Sequence, residues 1–247
     1  MRLLQISDCH LSADPEAEYR GQSPDKNLSR FSAAVRAYAP DWLILTGDVS
    51  DDASVESYER LCDWLSLFDI PVAWLPGNHD DRAIMEPVFE AKGFHAGPIL
   101  SIGAWQLVLL DSAWPGRPDG ELDELRLDSL DQIDSNRPAG IFIHHHPLPV
   151  SAWIDRVPLQ QPERLWQKLS DLPATQFVAF GHVHQRFRQR YAIDPAATIE
   201  CLAAPSTAAN CMPGTDRFIP EHSEPMARWF VLETDGNYRS GLLSLGG

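Results

Sequence analysis

Basic residues are scarce in this chain. Its 247 residues carry 20 lysines and arginines against 35 aspartates and glutamates, a formal net charge of −15. Polynucleotide binding draws on Lys and Arg that neutralise phosphates and release counterions, so this balance disfavours nucleic acid as a partner or substrate. Long apolar runs are also missing. The most apolar stretches, such as residues 99–110, are broken by Ser101, Gly103 and Gln106 and fall well short of the ~20 residues a membrane-spanning helix needs. A strand-like run begins at residue 2, leaving no room for a leader peptide, and a cytoplasmic protein is expected. Cysteine is sparse too. Cys9, Cys62, Cys201 and Cys211 show neither the paired spacing of a zinc ribbon nor the density of a disulfide scaffold, so reduced thiols are expected.

What remains, 44% hydrophobic and 22% charged, has the composition of an ordinary globular chain, and its length suits a single domain with one core. Apolar runs at residues 2–7, 42–46 and 72–75, each followed by a polar turn, predict buried strands. Between them, Leu28, Phe31, Val35 and Tyr38 recur at helical spacing, as do Tyr58, Leu61, Cys62, Leu65 and Phe68. Such alternation of strand and helix predicts an α/β fold with a parallel sheet. Further along, a helix is expected over 82–92, a hairpin at 99–102 and 105–111, a helix over 121–133, a strand at 140–145, a helix over 162–171 and a strand at 176–180. The last quarter reads as strands at 187–191, 198–203, 227–233 and 238–245, with Asp235-Gly236-Asn237 as a hairpin turn. Residues 204–226 lack periodicity and form a long loop, of a length that in compact domains usually serves function; substrate closure and a homodimer contact are both open roles for it.

Three turns begin at the carboxyl ends of the first three strands: Asp8-Cys9-His10, Gly47-Asp48, and Gly77-Asn78-His79-Asp80. Two more, His144-His145-His146-Pro147 and Gly181-His182-Val183-His184, follow the apolar runs at 140–143 and 176–180. In open α/β sheets this edge is where ligands bind. Of the nine histidines only His95 and His222 lie outside these turns, and core packing gives no reason for such clustering. Metal binding does, because carboxylate, amide oxygen and imidazole together suit borderline metals such as Mn, Fe or Zn. If the chain stays extended, the alternate residues Asp8/His10 and His182/His184 point the same way and each pair can chelate. The candidate ligands exceed what one ion accepts, so two metals are expected with Asp48 as the bridge. Two divalent ions less the carboxylates of Asp8 and Asp48 leave about +2, a cationic pocket in an anionic protein that would attract a phosphoryl oxygen.

On these motifs the chain resembles the calcineurin-like metallophosphoesterase superfamily, whose pattern is Asp-x-His, Gly-Asp, Gly-Asn-His-Asp/Glu, His and Gly-His-x-His, and the match spans residues 6–184. The resemblance implies a four-layer α-β-β-α sandwich with two mixed β-sheets. It implies a first metal held by Asp8, His10 and His184, a second by Asn78, His145 and His182, and Asp48 between them. His145 is selected from the three histidines by its distance to Pro147. The metals would be Fe, Mn, Zn or Co, as a divalent or mixed-valence pair. Asn78, His79 and His184 would contact substrate, with His79 protonating the leaving oxygen and Asp80 orienting it. The implied nucleophile is a metal-bridging hydroxide attacking in line, so no covalent phospho-enzyme is expected.

Within the superfamily the chain is most similar to the bacterial class III cyclic-nucleotide phosphodiesterases, on Pro76-Gly77-Asn78-His79-Asp80, His144-His145-His146-Pro147-Leu148-Pro149-Val150, Gly181-His182-Val183-His184-Gln185 and Ala204-Pro205-Ser206-Thr207. The substrate this implies is a small phosphodiester, cyclic AMP first and a glycerophosphodiester second. A phosphomonoesterase and a partner-binding scaffold of the same fold are the competing readings. Trp114 and Trp153 are open either to stacking on a base or to packing loops onto the domain.

Overall fold

The computed structural model describes residues 1–193, 197–221 and 224–246. In chain order the elements are β1 (Arg2–Ile6), α1 (Pro24–Tyr38), β2 (Trp42–Thr46), α2 (Val55–Leu65), β3 (Val72–Leu75), α3 (Arg82–Glu90), β4 (Ile99–Ile102) and β5 (Trp105–Leu110). Then come α4 (Glu124–Leu127), β6 (Ala139–Ile143), α5 (Pro162–Ser170), β7 (Thr175–Phe180), β8 (Phe187–Ala192), β9 (Thr198–Ala203), β10 (Asn210–Cys211), β11 (Pro220–Glu221), β12 (Ala227–Leu232) and β13 (Tyr238–Leu243). A five-stranded sheet runs β13-β12-β1-β2-β3 and a six-stranded sheet runs β4-β5-β6-β7-β9-β8. The members β1-β2-β3 and β5-β6-β7-β9 are parallel, whereas the outer strands β12, β13, β4 and β8 pair antiparallel. Both sheets are therefore mixed, as expected.

Alternation along each strand divides the core into three layers. Leu4, Ile6, Leu43 and Leu45 face outward onto Phe31, Val35, Tyr58 and Leu61 of α1 and α2. Their neighbours Leu3 and Ile44 face inward, onto Phe142, Phe177 and Ala179 of the other sheet. On the far side Ile141, Ile143, Val178 and Phe180 pack against Leu165, Trp166 and Leu169 of α5. This is the α-β-β-α sandwich. An aromatic cluster joins the two sheets: Phe177 stacks on Phe230 at 4.7 Å and meets Phe142 edge-on at 5.7 Å, pairs worth about 0.5–1.5 kcal/mol each beyond their burial.

Three expected elements differ. The helix over 121–133 is only α4 followed by a 3₁₀ turn over Asp128–Gln132; Asp123 caps the short helix by accepting the Arg126 N–H, and Asp residues favour caps and short turns over helix interiors. The long loop at 204–226 carries the small pairing β10-β11, and its His222 lies outside the described residues. Finally, β6 stops at Ile143 rather than at 145, which makes His144 the first residue past the strand. No helix among the described residues is long and apolar enough to cross a membrane.

Candidate metal centre

The turns that follow β1, β2 and β3 meet those that follow β6 and β7 along one edge of the sandwich. Their backbone is not extended. Asp8, His10, Asp48, His182 and His184 all have positive φ, between 44° and 67°, a region that costs a non-glycine residue of order 1–3 kcal/mol and persists where the surroundings over-determine it. Asp8/His10 and His182/His184 thus converge through left-handed turns, not through the extended chain expected from their spacing. The turns are close-packed as well. At Gly47, with φ +87°, a β-carbon would meet Gly77 N at 2.5 Å and His144 Nδ1 at 2.6 Å, so a side chain there is excluded on both counts.

One set of donors comprises Asp8, His10, Asp48 and His184, all buried, with one ligand atom of each within 4.8 Å of the others. His184 Nε2 lies 3.2 Å from Asp8 Oδ1 and 3.1 Å from His10 Nε2. Two imidazole nitrogens this close beside a carboxylate suit a shared cation. Asp48 reaches both ways: its Oδ2 is 3.7 Å from His10 Nε2 and 3.4 Å from His144 Nε2, while Oδ1 accepts the His79 backbone N–H at 2.9 Å.

On the other side of Asp48 stands His144, not His145. His144 Nε2 is 3.2 Å from Asn78 Oδ1, and ligand nitrogens of His144, His145 and His182 lie within 4.8 Å of one another. His145 turns Nδ1 to Ser112 Oγ at 2.8 Å, and the α-carbon of Gly120 backs its ring. The reason lies in strand alternation. Phe142 of β6 faces the other sheet and Ile143 faces α5, so the first residue beyond the strand, His144, falls on the inner side where Asp48 and Thr46 are.

Carbonyl oxygens fix the orientation of three rings, since a carbonyl can only accept. His144 Nδ1–H donates to Thr46 O at 2.7 Å, His184 Nδ1–H to Ala209 O at 2.8 Å and His182 Nε2–H to Val157 O at 3.0 Å. The remaining nitrogen of each ring is left for the centre, the arrangement seen around metal-bound histidines. Burial alone would raise Asp48, but His144, His10 and His79 outweigh it and hold its carboxyl well below the usual range. Burial, with the neighbouring imidazoles, keeps His182 well below its ordinary value and keeps His10 low. Ionised carboxylates and neutral imidazoles are what a cation binds. His144 differs: against its burial, Asp48 pushes it up to about 9, so a proton there competes with a metal.

Buried histidines and carboxylates thus gather on both sides of Asp48. A family profile described as calcineurin-like phosphoesterase matches residues 1–186. The chain belongs to this family. Among curated phosphoesterases it is 35% identical to the 3',5'-cyclic adenosine monophosphate phosphodiesterase CpdA of Pseudomonas aeruginosa, over 97% of this chain and 88% of the relative. It is 34% identical to the CpdA of Vibrio vulnificus over 96% and 87%, and 33% identical to a 3',5'-cyclic-nucleotide phosphodiesterase of Nostoc over 96% and 89%. The crystal structure of a dimetal phosphatase from Danio rerio superposes with a TM-score of 0.75 at 15% identity, over 99% of this chain and 96% of that one, and shows the same metallophosphoesterase fold.

The phosphoesterase centre includes residues that its motifs do not single out. The carboxylate against His79 is Asp51, whose Oδ1 lies 3.2 Å from His79 Nδ1 and 3.4 Å from His10 Nδ1. Asp80, expected to orient His79, instead accepts the backbone N–H groups of Gly77, Ser50 and Val49 at 2.9, 3.0 and 3.3 Å, tying the turn after β2 to the turn after β3. Burial and Asp48 push Asp80 up to about 6. His79 is 37% exposed at the mouth; burial would lower it, but Asp51 and Asp48 push it up to about 9. The Ala204-Pro205-Ser206-Thr207 motif is a tether: Ser206 Oγ donates to Asp8 O at 2.7 Å. Asp51, at the third position after the Gly-Asp motif, is a signal that motif matching passes over. Trp153 packs partly buried against the α5-side core and meets Phe218 at 5.8 Å, and Arg117 covers the Trp114 ring at 4.0 Å.

Proposed function

We propose that this chain is a dinuclear-metal phosphodiesterase that hydrolyses small phosphodiesters, 3',5'-cyclic AMP foremost. The observation that carries this reading is the pair of donor groups meeting at Asp48, in a chain about one-third identical over nearly its whole length to proteins named for that activity. Asp8, His10, Asp48 and His184 would hold one ion, and Asp48, Asn78, His144 and His182 the other, with His144 taking the place expected of His145. When bound, such a pair supplies Lewis acidity to the phosphoryl oxygens and an attacking water of lowered pKa.

The protein's own part is positioning and proton transfer. Asn78 and His79 border the opening of the centre and would orient the phosphoryl group. His79, protonated at neutral pH through Asp51 and Asp48, holds a proton where the leaving oxygen needs one as the P–O bond breaks. The buried carboxylates balance part of the metal charge, leaving about +2 for a monoanionic diester. Turnover of cyclic AMP, glycerophosphocholine and p-nitrophenyl phosphate by Mn-loaded protein tests the reading. Cyclic AMP is expected to give the highest kcat/KM; hydrolysis of the monoester alone would overturn it.

A further inference from the structure

Beside the centre, the segment Tyr19-Arg20-Gly21-Gln22 closes a tight hairpin, with Tyr19 N–H donating to Gln22 O at 2.9 Å and Gln22 N–H to Tyr19 O at 3.0 Å. Both tip residues are left-handed, Arg20 at φ 52° and Gly21 at φ 77°. Such two-residue turns favour Asn, Asp or Gly at these places, and an arginine there is held at a cost. The hairpin sets Tyr19 flat on His10, with ring centroids 3.8 Å apart and planes within 4°. From the other side Phe218 meets His184 edge-on at 6.2 Å. The Arg20 guanidinium lies over both rings, 5.6 Å from the centre of the Tyr19 ring and 4.7 Å from that of Phe218. The cation therefore contacts the two aromatic rings that touch His10 and His184.

Arg20, in a chain of net charge −15, forms an ion pair with no described residue. Tyr19, whose side chain also hydrogen-bonds Arg20, and Phe218 hold the guanidinium in place without neutralising it, and its remaining N–H groups are of the kind with which arginine grips phosphate oxygens.

We infer that Tyr19, Arg20 and Phe218 form a phosphodiester-binding lip on the His10 and His184 side of the centre, with Arg20 taking an anionic oxygen of the substrate. The inference rests on the phosphodiesterase reading above and adds a binding residue that the metal motifs do not contain. The test compares wild type with Arg20→Ala and Arg20→Lys on cyclic AMP and on bis(p-nitrophenyl) phosphate, a diester without a nucleoside, and measures inorganic phosphate binding to the metal-loaded protein by calorimetry. Arg20→Ala is expected to raise KM for both diesters and weaken phosphate binding by ~10–100-fold, the range for a hydrogen bond to a charged group, with kcat, metal content and Tm little changed. Arg20→Lys should restore only part of the loss, because it keeps the charge without the planar fork. Unchanged KM values and phosphate affinity would overturn the lip. So would a rise confined to cyclic AMP, which would place Arg20 against the nucleoside instead. Wild-type protein that turned over bis(p-nitrophenyl) phosphate but not cyclic AMP would refute the substrate assignment while leaving Arg20 testable.

Discussion

The turns after β1 and β7 each bring two candidate metal donors to the site, whereas the turn after β6 brings three consecutive histidines of which His144 faces Asp48. In the first kind the donors, Asp8 with His10 and His182 with His184, sit on left-handed backbone at both positions. Their spacing is dictated by the turn itself, and Asp-x-His or His-x-His can be read directly from the chain. The second kind has no such internal rule. His144, His145 and His146 are all fully buried, and the residue that faces Asp48 is chosen by which side of β6 looks toward the other sheet. Paired ligands are a local property of sequence; a single ligand at a strand end is a property of sheet packing.

Removing the shared carboxylate should erase the difference between the two kinds of turn. Asp48→Asn is expected to abolish hydrolysis and to cut the metal content from about two ions per chain to below one, read by elemental analysis of folded protein. If metal content stays at two, Asp48 is not the bridge. Next in size, His144→Ala should lose the second ion and reduce turnover to near background. His145→Ala should keep both ions and lose no more than ~10–100-fold, the usual effect of a residue supporting a ligand. The opposite result would return the ligand role to His145 and break the alternation argument.

Legibility follows the same divide. The strand–helix alternation and the turns that gather at the site could be read because apolar runs and short motifs are local, whereas the four layers were implied only by the family resemblance. His144 could not be read, since β6 is buried at every position and its run of Gly140, Ile141, Phe142 and Ile143 shows no polar alternation to mark an inner face. Asp51 was hidden for another reason: it serves His10 and His79 from a neighbouring turn, and a contact across turns leaves no spacing within either. Asp80 illustrates the converse error. Its place next to His79 in the chain suggested a partner, yet the same turn sends its carboxylate to backbone N–H groups of the turn after β2.

His79 and its two candidate partners sharpen this last contrast. His79→Ala should retain metal and slow turnover by ~10²–10⁴-fold if the ring is the proton donor. Asp51→Asn should be milder, ~10–100-fold, and should carry a signature that simple damage would not. Asp51 and Asp48 hold His79 up to about 9 against its burial, so the acid form persists until pH rises through that value. Without the Asp51 charge, burial regains ground and His79 titrates lower, moving the alkaline fall in kcat to lower pH. Asp80→Ala should act on the fold instead, because it strands backbone donors of Gly77, Val49 and Ser50 at a cost of about 1–3 kcal/mol, lowering Tm. An alkaline limb displaced by Asp80→Ala but not by Asp51→Asn would show that chain adjacency, and not the contact between turns, sets the acidity of His79.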